Sequence, residues 1–370
     1  MKVALVHDWL TGMRGGEKVL DALCELHPRA DIFTLLHARG SVSPAIESHR
    51  IQTSFVQWLP FARSKYRSYL PLFPFAVEQF DLDPYNLVIS SSHCAAKAVV
   101  VPGRARHISY CHSPMRYAWD QFDAYFGPDR VGAAASRWFY RPLLARMARW
   151  DAATASRVDR FVANSAHVAA RIHRYYNRVA TIVYPPVDTA FYQPGDVSPA
   201  SHFLMVSALV PYKRVEVAIT AVQRAGARLR IVGDGPDRAR LERLGGAHVE
   251  FLGHRSDEEI RDEYRRAQAV ILPGEEDFGI VPVEAQACGR PVVALARGGA
   301  LETVADGETG VLFEEATVPA LAAALDRVAR ITFDSGRIRR HAEQFSRDRH
   351  LQQMQALIDE TVHAPAGRRW

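Results

Sequence analysis

Short runs of apolar and β-branched residues, most of them ending in Gly, Ser or a polar residue, recur along the chain and alternate with longer amphipathic stretches. In the first half they occupy 2–7, 32–36, 87–92, 107–111, 160–164 and 181–184; in the second, 203–209, 228–232, 249–252, 269–273 and 291–296. A strand with one wet face alternates apolar with polar residues. Many of these runs are instead apolar almost throughout, which is the pattern of strands buried on both faces of a parallel sheet. Such strands with helices between them predict an α/β chain built from doubly wound, Rossmann-like parallel sheets. The stretch YPPVDTAFYQPGDVSPASH, 184–202, is rich in Pro, Gly and Ser and reads as an interdomain linker. This divides the chain into an N-terminal domain, 1–188, a C-terminal domain, 189–344, and a terminal amphipathic helix within 345–370. Ligands of such sheets bind outside the carboxyl ends of the strands. The residues that follow each strand are therefore where chemistry is expected.

Composition narrows the class. A chain of 370 residues, 48% hydrophobic and 24% charged, suits two soluble domains of similar size. No apolar run approaches the roughly 20 residues that span a bilayer, and no signal peptide precedes MKVALVHD, so a cytoplasmic location is expected. Lys2, Lys18, Lys65, Lys97 and Lys213 are the only lysines among 46 basic residues. With no basic-helix or zinc-finger pattern, the net charge of +5 does not imply nucleic acid as a partner. It suits acidic small molecules or an anionic membrane face. Cys24, Cys94, Cys111 and Cys288 are scattered, without disulfide or zinc spacing.

The densest chemistry lies in VILPGEEDFGIVPVEAQACG, 270–289. A strand ends at Pro273–Gly274 and an acidic loop follows. A helix is expected from Pro282, at its first position, to a left-handed cap near Gly289. Glu276 would stand on the loop and Glu284 in the first helical turn. The amides of 278–281 and the helix dipole favour a diphosphate or sugar hydroxyls, and Gly279 permits close backbone approach. Read without a ligand, Glu284 complements the dipole and 275–277 is a solvated turn. In VSALVPYKRVEV, 206–217, Lys213 would present a compact positive charge suited to a phosphate, or else a solvated lysine at a helix start. Gly233 and Gly235 in IVGDGPDRARL, 231–241, form a turn between strand and helix, and Gly298–Gly299 follow a later strand. In HDWLTGMRGGEKVL, 7–20, Gly15–Gly16 open a helix whose amides can take a diphosphate; the third glycine of a dinucleotide fingerprint is missing. In ISYCHSPMRYAWD, 108–120, His112 directly follows a strand, where it can bind a sugar hydroxyl, carry a proton or serve structure alone.

The spacing E-x7-E around Phe278–Gly279, together with these loops, resembles the retaining GT-B glycosyltransferases of family 4, and the resemblance extends along most of the chain. It implies two Rossmann-like domains facing an interdomain cleft, with the terminal helix crossing back to brace the first. By the same resemblance Glu276 contacts the transferred sugar, with His112 near it. The amides of Phe278, Gly279 and Ile280 face the donor, Glu284 holds the ribose, and Lys213 holds the diphosphate. Gly233 and Gly235 lie near the nucleotide, and Gly15 and Gly16 touch the phosphates. Asn164–Ser165 and Glu302 also match family positions, while Asp8 and Arg116 are candidates for acceptor contact. Many members carry Arg where this chain has Ala208; Arg214 is the candidate substitute. The implied reaction is transfer of a hexose from a nucleotide-diphosphate sugar, with retention. SALVPYKRVEV and GEEDFGIVPVEAQACGRPV look like those of mannosyltransferases of bacterial polysaccharide assembly, which points to GDP-mannose ahead of UDP-sugars. A nucleotide-sugar epimerase or hydrolase and a non-catalytic sugar-binding protein are the competing readings.

Two stretches, WLPFARSKYRSYLPLFPF (58–75) and RWFYRPLLARMARW (137–150), mix aromatic with basic residues. They fit either an interfacial segment on anionic lipid or inward-packed aromatics with solvated arginines. The first alternative implies a lipid-linked acceptor at the inner face of the membrane; by the resemblance the acceptor is lipid-linked or an oligosaccharide or polysaccharide of cell-surface glycan assembly. Asp81-Leu82-Asp83 has the D-x-D form of a metal-holding pair, but it precedes a strand rather than closing one. No metal and no other cofactor is expected.

Overall fold

The computed structural model describes every residue except 198, 199, 366, 367 and 369. The linker read at 184–202 and the terminal segment 345–370 therefore each include residues outside the described set. The chain forms two compact units, one of Met1–Pro186 with Asp348–Trp370 and one of Val187–Arg347.

The first unit holds β1 (Val3–His7), β2 (Asp31–Thr34), β3 (Arg50–Thr53), β4 (Leu87–Ser92), β5 (Arg106–Cys111), β6 (Arg160–Ala163) and β7 (Ala180–Ile182). They form one sheet, ordered β3-β2-β1-β4-β5-β6-β7 and parallel throughout. Alternate residues feed opposite faces, as a pleated strand requires. Ala4, Val6 and Val88 join Phe33, Phe73 and Leu144 on one side. Leu5, Leu87, Ile89 and Ile108 meet Leu20 and Leu23 of the helix Gly15–Leu26 on the other, with Met354 and Leu357 of the helix Arg347–His363. Each buried Leu or Ile contributes roughly 1.5–3 kcal/mol, so the terminal helix is held mainly by its apolar stripe. Arg160 of β6 adds an ion pair to Glu360 at 2.7 Å.

The second unit holds β8 (His202–Val206), β9 (Arg228–Val232), β10 (Val249–Gly253), β11 (Ala269–Leu272), β12 (Val292–Leu295) and β13 (Gly310–Phe313), ordered β10-β9-β8-β11-β12-β13 and again all parallel. Ile219 and Val222 of the helix Val215–Arg224 and Leu321 and Leu325 of the helix Val318–Arg330 pack with Phe203, Ile231, Ile271 and Val293. The two doubly wound parallel sheets are those the alternation predicts.

Each sheet contains one reversal of winding. From β1 the chain builds outward through β2 and β3, then returns to place β4 on the other side of β1; β8 and β11 repeat this. Loops leaving such a pair diverge and leave a crevice at their carboxyl ends.

Several sequence readings need correction. β3 and β13 were absent from the predicted set. The run 203–209 pairs as a strand only to Val206, because backbone of the Gly233–Gly235 turn closes onto Ser207 and Leu209. The boundary between the two units falls within the stretch 184–202, and part of that stretch is fastened to the second unit: Val187 donates to the Phe345 carbonyl at 3.1 Å, Tyr192 is buried, and Arg339 donates to the carbonyls of Thr189 and Tyr192.

Candidate active site

In the first unit the polar groups gather where β1, β4 and β5 end. The pairing register sets His7 of β1 opposite Ser91 of β4. Asp8, next along, is fully buried and accepts the backbone N–H groups of His93, Cys94, Ala95 and Ala96 at 2.6–2.9 Å. Those bonds pin the loop after β4 beside β1. They occupy the carboxylate and give Asp8 a structural task.

His112 follows β5 by one residue and is half-buried. Its Nε2 lies 2.8 Å from Ser91 Oγ, which lies 3.1 Å from His7 Nδ1; His7 Nε2 is 3.8 Å from Glu17 Oε1. Asn164 donates to the His112 carbonyl at 2.9 Å, and Ser165 caps the helix Ala166–Tyr176. Burial, reinforced by His93, His7 and His350, pushes His112 well below the ordinary histidine range, so it is held neutral. Burial pushes Glu17 up. The nearby His7 imidazole, the residue's own backbone amide and His93 outweigh that, and its carboxyl titrates below the usual range.

Gly15 and Gly16 form the first turn of the helix Gly15–Leu26, whose leading N–H groups have no intrahelical acceptor. A β-carbon on Gly16 would come within 3.3 Å of His7 Cε1 and 3.6 Å of His112 Nε2. Glycine eases the close approach of this helix end to His7, with His112 alongside. Arg116 is half-buried at the start of a short helix, Arg116–Trp119.

In the second unit Lys213 and Glu276 come together across the reversal point. Lys213 ends a 3-10 turn, Pro211–Lys213, in the connection after β8, and Glu276 lies in the loop after β11. Their partly buried side chains form an ion pair. Glycine makes that approach feasible: a β-carbon on Gly274 would sit 2.6 Å from the Tyr212 carbonyl oxygen and 3.0 Å from Lys213 Cα. From the other side, Gly299 donates to the Glu276 carbonyl at 2.8 Å, and a β-carbon there would strike Phe278 backbone at 2.3 Å. Gly233 and Gly235 abut the Ser207 and Leu209 carbonyls just as closely. Arg214 takes a left-handed conformation, φ 52°, and its side chain is exposed with no ion pair to a described residue.

The helix after the acidic loop runs Ile280–Ala287, two residues earlier than predicted, because Gly279 at φ 87° acts as its N-cap. Pro282 is still in the first turn, where a missing N–H breaks no helical bond. Phe278 is buried, its ring 5.6 Å from that of Phe345, and Ile280 is half-buried. Glu284 thus falls in the second turn, 5% exposed, and accepts the Tyr264 hydroxyl at 2.9 Å. Tyr264, from the helix Asp257–Arg266, is a partner the motif gave no hint of. Asp81 and Asp83 precede β4, at its amino edge. Among the described residues no three His, Cys, Asp or Glu side chains are grouped to hold a metal ion.

Two family models tile the chain: one described as Glycosyltransferase Family 4 matches residues 13–191, and one described as Glycosyl transferases group 1 matches 193–345. Together the two matches span most of the chain, whose two parallel sheets make a GT-B-type fold. This GT-B chain has the fold of Anabaena HepE, solved with UDP and glucose, at a TM-score of 0.72 and 20% identity, covering 97% of this chain and 99% of that one. A sucrose-phosphate synthase from Thermosynechococcus elongatus gives a TM-score of 0.66 at 19% identity, covering 97% and 99%. In sequence the chain is 34% identical to a D-inositol 3-phosphate glycosyltransferase of Rhodococcus opacus, over 51% of this chain and 50% of the relative. The counterpart in Mycobacteroides abscessus is 35% identical over 42% and 40%. The chain thus spans about half the length of the curated relatives it matches.

Proposed function

We propose that the protein transfers a hexose from a nucleotide-diphosphate hexose to a hydroxyl acceptor with retention of configuration. The observation that carries this reading is the Lys213–Glu276 pair at the reversal point of the second sheet, beside the amides of a helix N-terminus. Such an ammonium can neutralise a departing diphosphate, and the freed carboxylate can accept sugar hydroxyls; preorganised charge of this kind is the main lever on such a barrier. Glu284 is assigned to the ribose, and Arg214, Gly233, Gly235 and the amides of Phe278, Gly279 and Ile280 to the rest of the donor. In the first unit Gly15 and Gly16 are assigned to its phosphates and His112 to the sugar. The acceptor attacks on the face the leaving group departs from, and its proton passes to the departing phosphate.

GDP-mannose is the donor proposed, on the wording of residues 207–217 and 274–292. UDP-glucose is the competitor, being what a fold neighbour was crystallised with. Purified protein incubated with a nucleotide-sugar panel, with and without acceptor, and read by mass spectrometry tests this. Nucleotide release that requires acceptor and yields a glycosylated product is expected. Release without acceptor would favour a hydrolase, and an altered donor sugar an epimerase. Lys213→Ala and Glu276→Gln should each slow transfer about 100-fold; unchanged turnover in both removes the assignment.

We further propose a lipid-linked acceptor reached from an anionic membrane surface on the cytoplasmic side. Trp58 (84%), Phe61 (74%), Trp138 (74%) and Phe139 (59%) are exposed in the two stretches, whereas Tyr66, Leu70, Phe73 and Leu144 pack inward. Lys65 lies over the Phe61 ring and Arg137 over Trp138, and no acidic residue occurs in either stretch. Such aromatic and basic mixtures seat at headgroup level. Among the described residues no helix is long and apolar enough to cross a membrane. Sedimentation with phosphatidylglycerol vesicles, lost in Trp58→Ser/Phe61→Ser and in Trp138→Ser/Phe139→Ser, is the expected result. Equal recovery of both variants with vesicles counts against it.

A further inference from the structure

The proton on Ser91 Oγ decides which nitrogen of His112 is bare. Ser91 is buried between two imidazole nitrogens, His7 Nδ1 at 3.1 Å and His112 Nε2 at 2.8 Å. A hydroxyl has one hydrogen, so it donates to one ring and accepts from the other. The choice is made at the far end. His7 Nε2 is buried with no hydrogen-bond partner among the described residues, and the Glu17 carboxylate is 3.8 Å away. A lone pair at Nε2 would face that carboxylate, whereas an N–H would point its positive end at it. His7 therefore carries its hydrogen on Nε2 and leaves Nδ1 as an acceptor. Ser91 donates to it, and its oxygen lone pairs turn to His112.

We infer that Glu17, His7 and Ser91 are positioning residues that fix His112 as the Nε2–H tautomer, so that Nδ1 is the atom offered to a ligand hydroxyl as acceptor. No described residue bonds Nδ1, and the groups facing His112 include His7 of β1, Ser91 of β4, Tyr110 of β5, His93 of the loop after β4 and His350 of the terminal helix. The fold imposes the order. Ser91 pairs with His7 on one side and Tyr110 on the other, and the His112 amide donates to Ser92 O at 2.8 Å, continuing the ladder one residue past β5. Gly16 leaves space beside both rings for the helix end. An imidazole locked this way cannot donate from Nδ1. It selects a ligand group with a hydrogen to give, such as a sugar hydroxyl, and rejects an ether or carbonyl oxygen. The last step rests on His112 meeting the sugar in the proposed transfer; the tautomer does not.

The test is therefore made first without ligand. The full chain, labelled with 15N-histidine and read at about pH 8, above the ordinary histidine range, reports each ring nitrogen as protonated or bare. His112 is assigned by difference with His112→Gln. A single Nε2–H form is expected for His112 and for His7. Glu17→Gln places at the far end a carboxamide that can donate as well as accept, so the reversed chain becomes available and His112 Nδ1–H should appear. Ser91→Ala cuts the chain and should give both forms, and Ser91→Thr should restore the single one. In transfer assays Ser91→Ala should lose about tenfold in kcat/KM, the scale of one misdirected hydrogen bond, and Ser91→Thr should regain it. His112 protonated at Nδ1 in the parent protein, or tautomers unmoved by Glu17→Gln and Ser91→Ala, would overturn the inference. A protein that shows the expected tautomers but transfers no sugar sinks the assigned reaction and leaves the chain of bonds standing.

Discussion

Tyr264→Phe isolates one hydrogen bond of the candidate donor site. Tyr264 is fully buried, its ring 5.8 Å from that of Tyr192, and its hydroxyl donates to Glu284 Oε2 at 2.9 Å. Burial, then the Glu284 charge, pushes the phenol well above its ordinary range, so it stays a donor at any working pH. The substitution keeps the ring and opens almost no cavity. What is lost is one hydrogen bond to a charged acceptor, worth about 1.5–3 kcal/mol. For a body of 150–250 residues that lowers Tm by about 3–12 °C. Circular dichroism melting and urea titration measure it. A double-mutant cycle with Glu284→Ala should give a coupling of about 1–3 kcal/mol if the bond accounts for the loss. On the ribose assignment the variant also binds the nucleotide donor less tightly, because the carboxylate can swing from its fixed pose. A melting point within about a degree of the parent, with a coupling near zero, would refute the energetic reasoning. A full stability loss with unaltered donor affinity would leave Glu284 a structural residue.

Two further outcomes test the energetics of the first unit. Lys97 is buried, 2.9 Å from Asp151 Oδ1, and Asp151 also accepts from Trp119 Nε1 and the Tyr176 hydroxyl at 2.8 Å each. Lys97→Met strands that carboxylate and should cost about 3–5 kcal/mol in urea unfolding, with Lys97→Met/Asp151→Asn recovering part of it; equal stability of the two variants would argue against the pair. His107 is buried with Nε2 at 2.9 Å from Ser90 Oγ and Nδ1 at 3.1 Å from the Arg157 carbonyl, and burial pushes it down to about 4. The unfolded chain, titrating near 6.5, binds the proton first, so this contribution is whole above about pH 6.5 and is lost as pH falls towards about 4. Between pH 6.5 and 5 the parent should lose about 2 kcal/mol that His107→Gln does not; parallel urea midpoints across that range would contradict it.

Most of the strands that could be read from sequence are buried on both faces, although β7 and β10, read as well, are largely half-buried or exposed. VALVH, LVISSS and VVAL are fully buried, and each carries a run of at least three apolar residues. β3 is RIQT, an edge strand with one apolar residue, and its pairing with β2 is backbone chemistry that side-chain pattern does not record. β13, GVLF, begins on a glycine that reads as loop; in the structure Gly310 is paired with Val292, whose carbonyl oxygen a β-carbon would meet at 2.0 Å. The start of the helix at 280 was missed for a related reason. Proline advertises a first turn without fixing which residue opens it, and Gly279 at φ 87° settled the matter.

The candidate site divides along the same line. Lys213, Glu276 and His112 stand just past strands, beside glycines or proline, so their loops announce themselves. Their partners do not: Tyr264 lies on an amphipathic helix where it reads as core, and Ser91 and His7 are interior strand residues. What joins each group to its partner is strand order, which no run of residues encodes locally. His7 and Ser91 are 84 positions apart and become neighbours only because β4 returns beside β1; Lys213 and Glu276, 63 apart, meet because β11 returns beside β8. Both polar clusters therefore occupy the one place in each sheet where diverging connections leave strand ends uncovered. The topology chooses that place, and the glycines at 16, 274 and 299 keep backbone close enough for side chains there to work together.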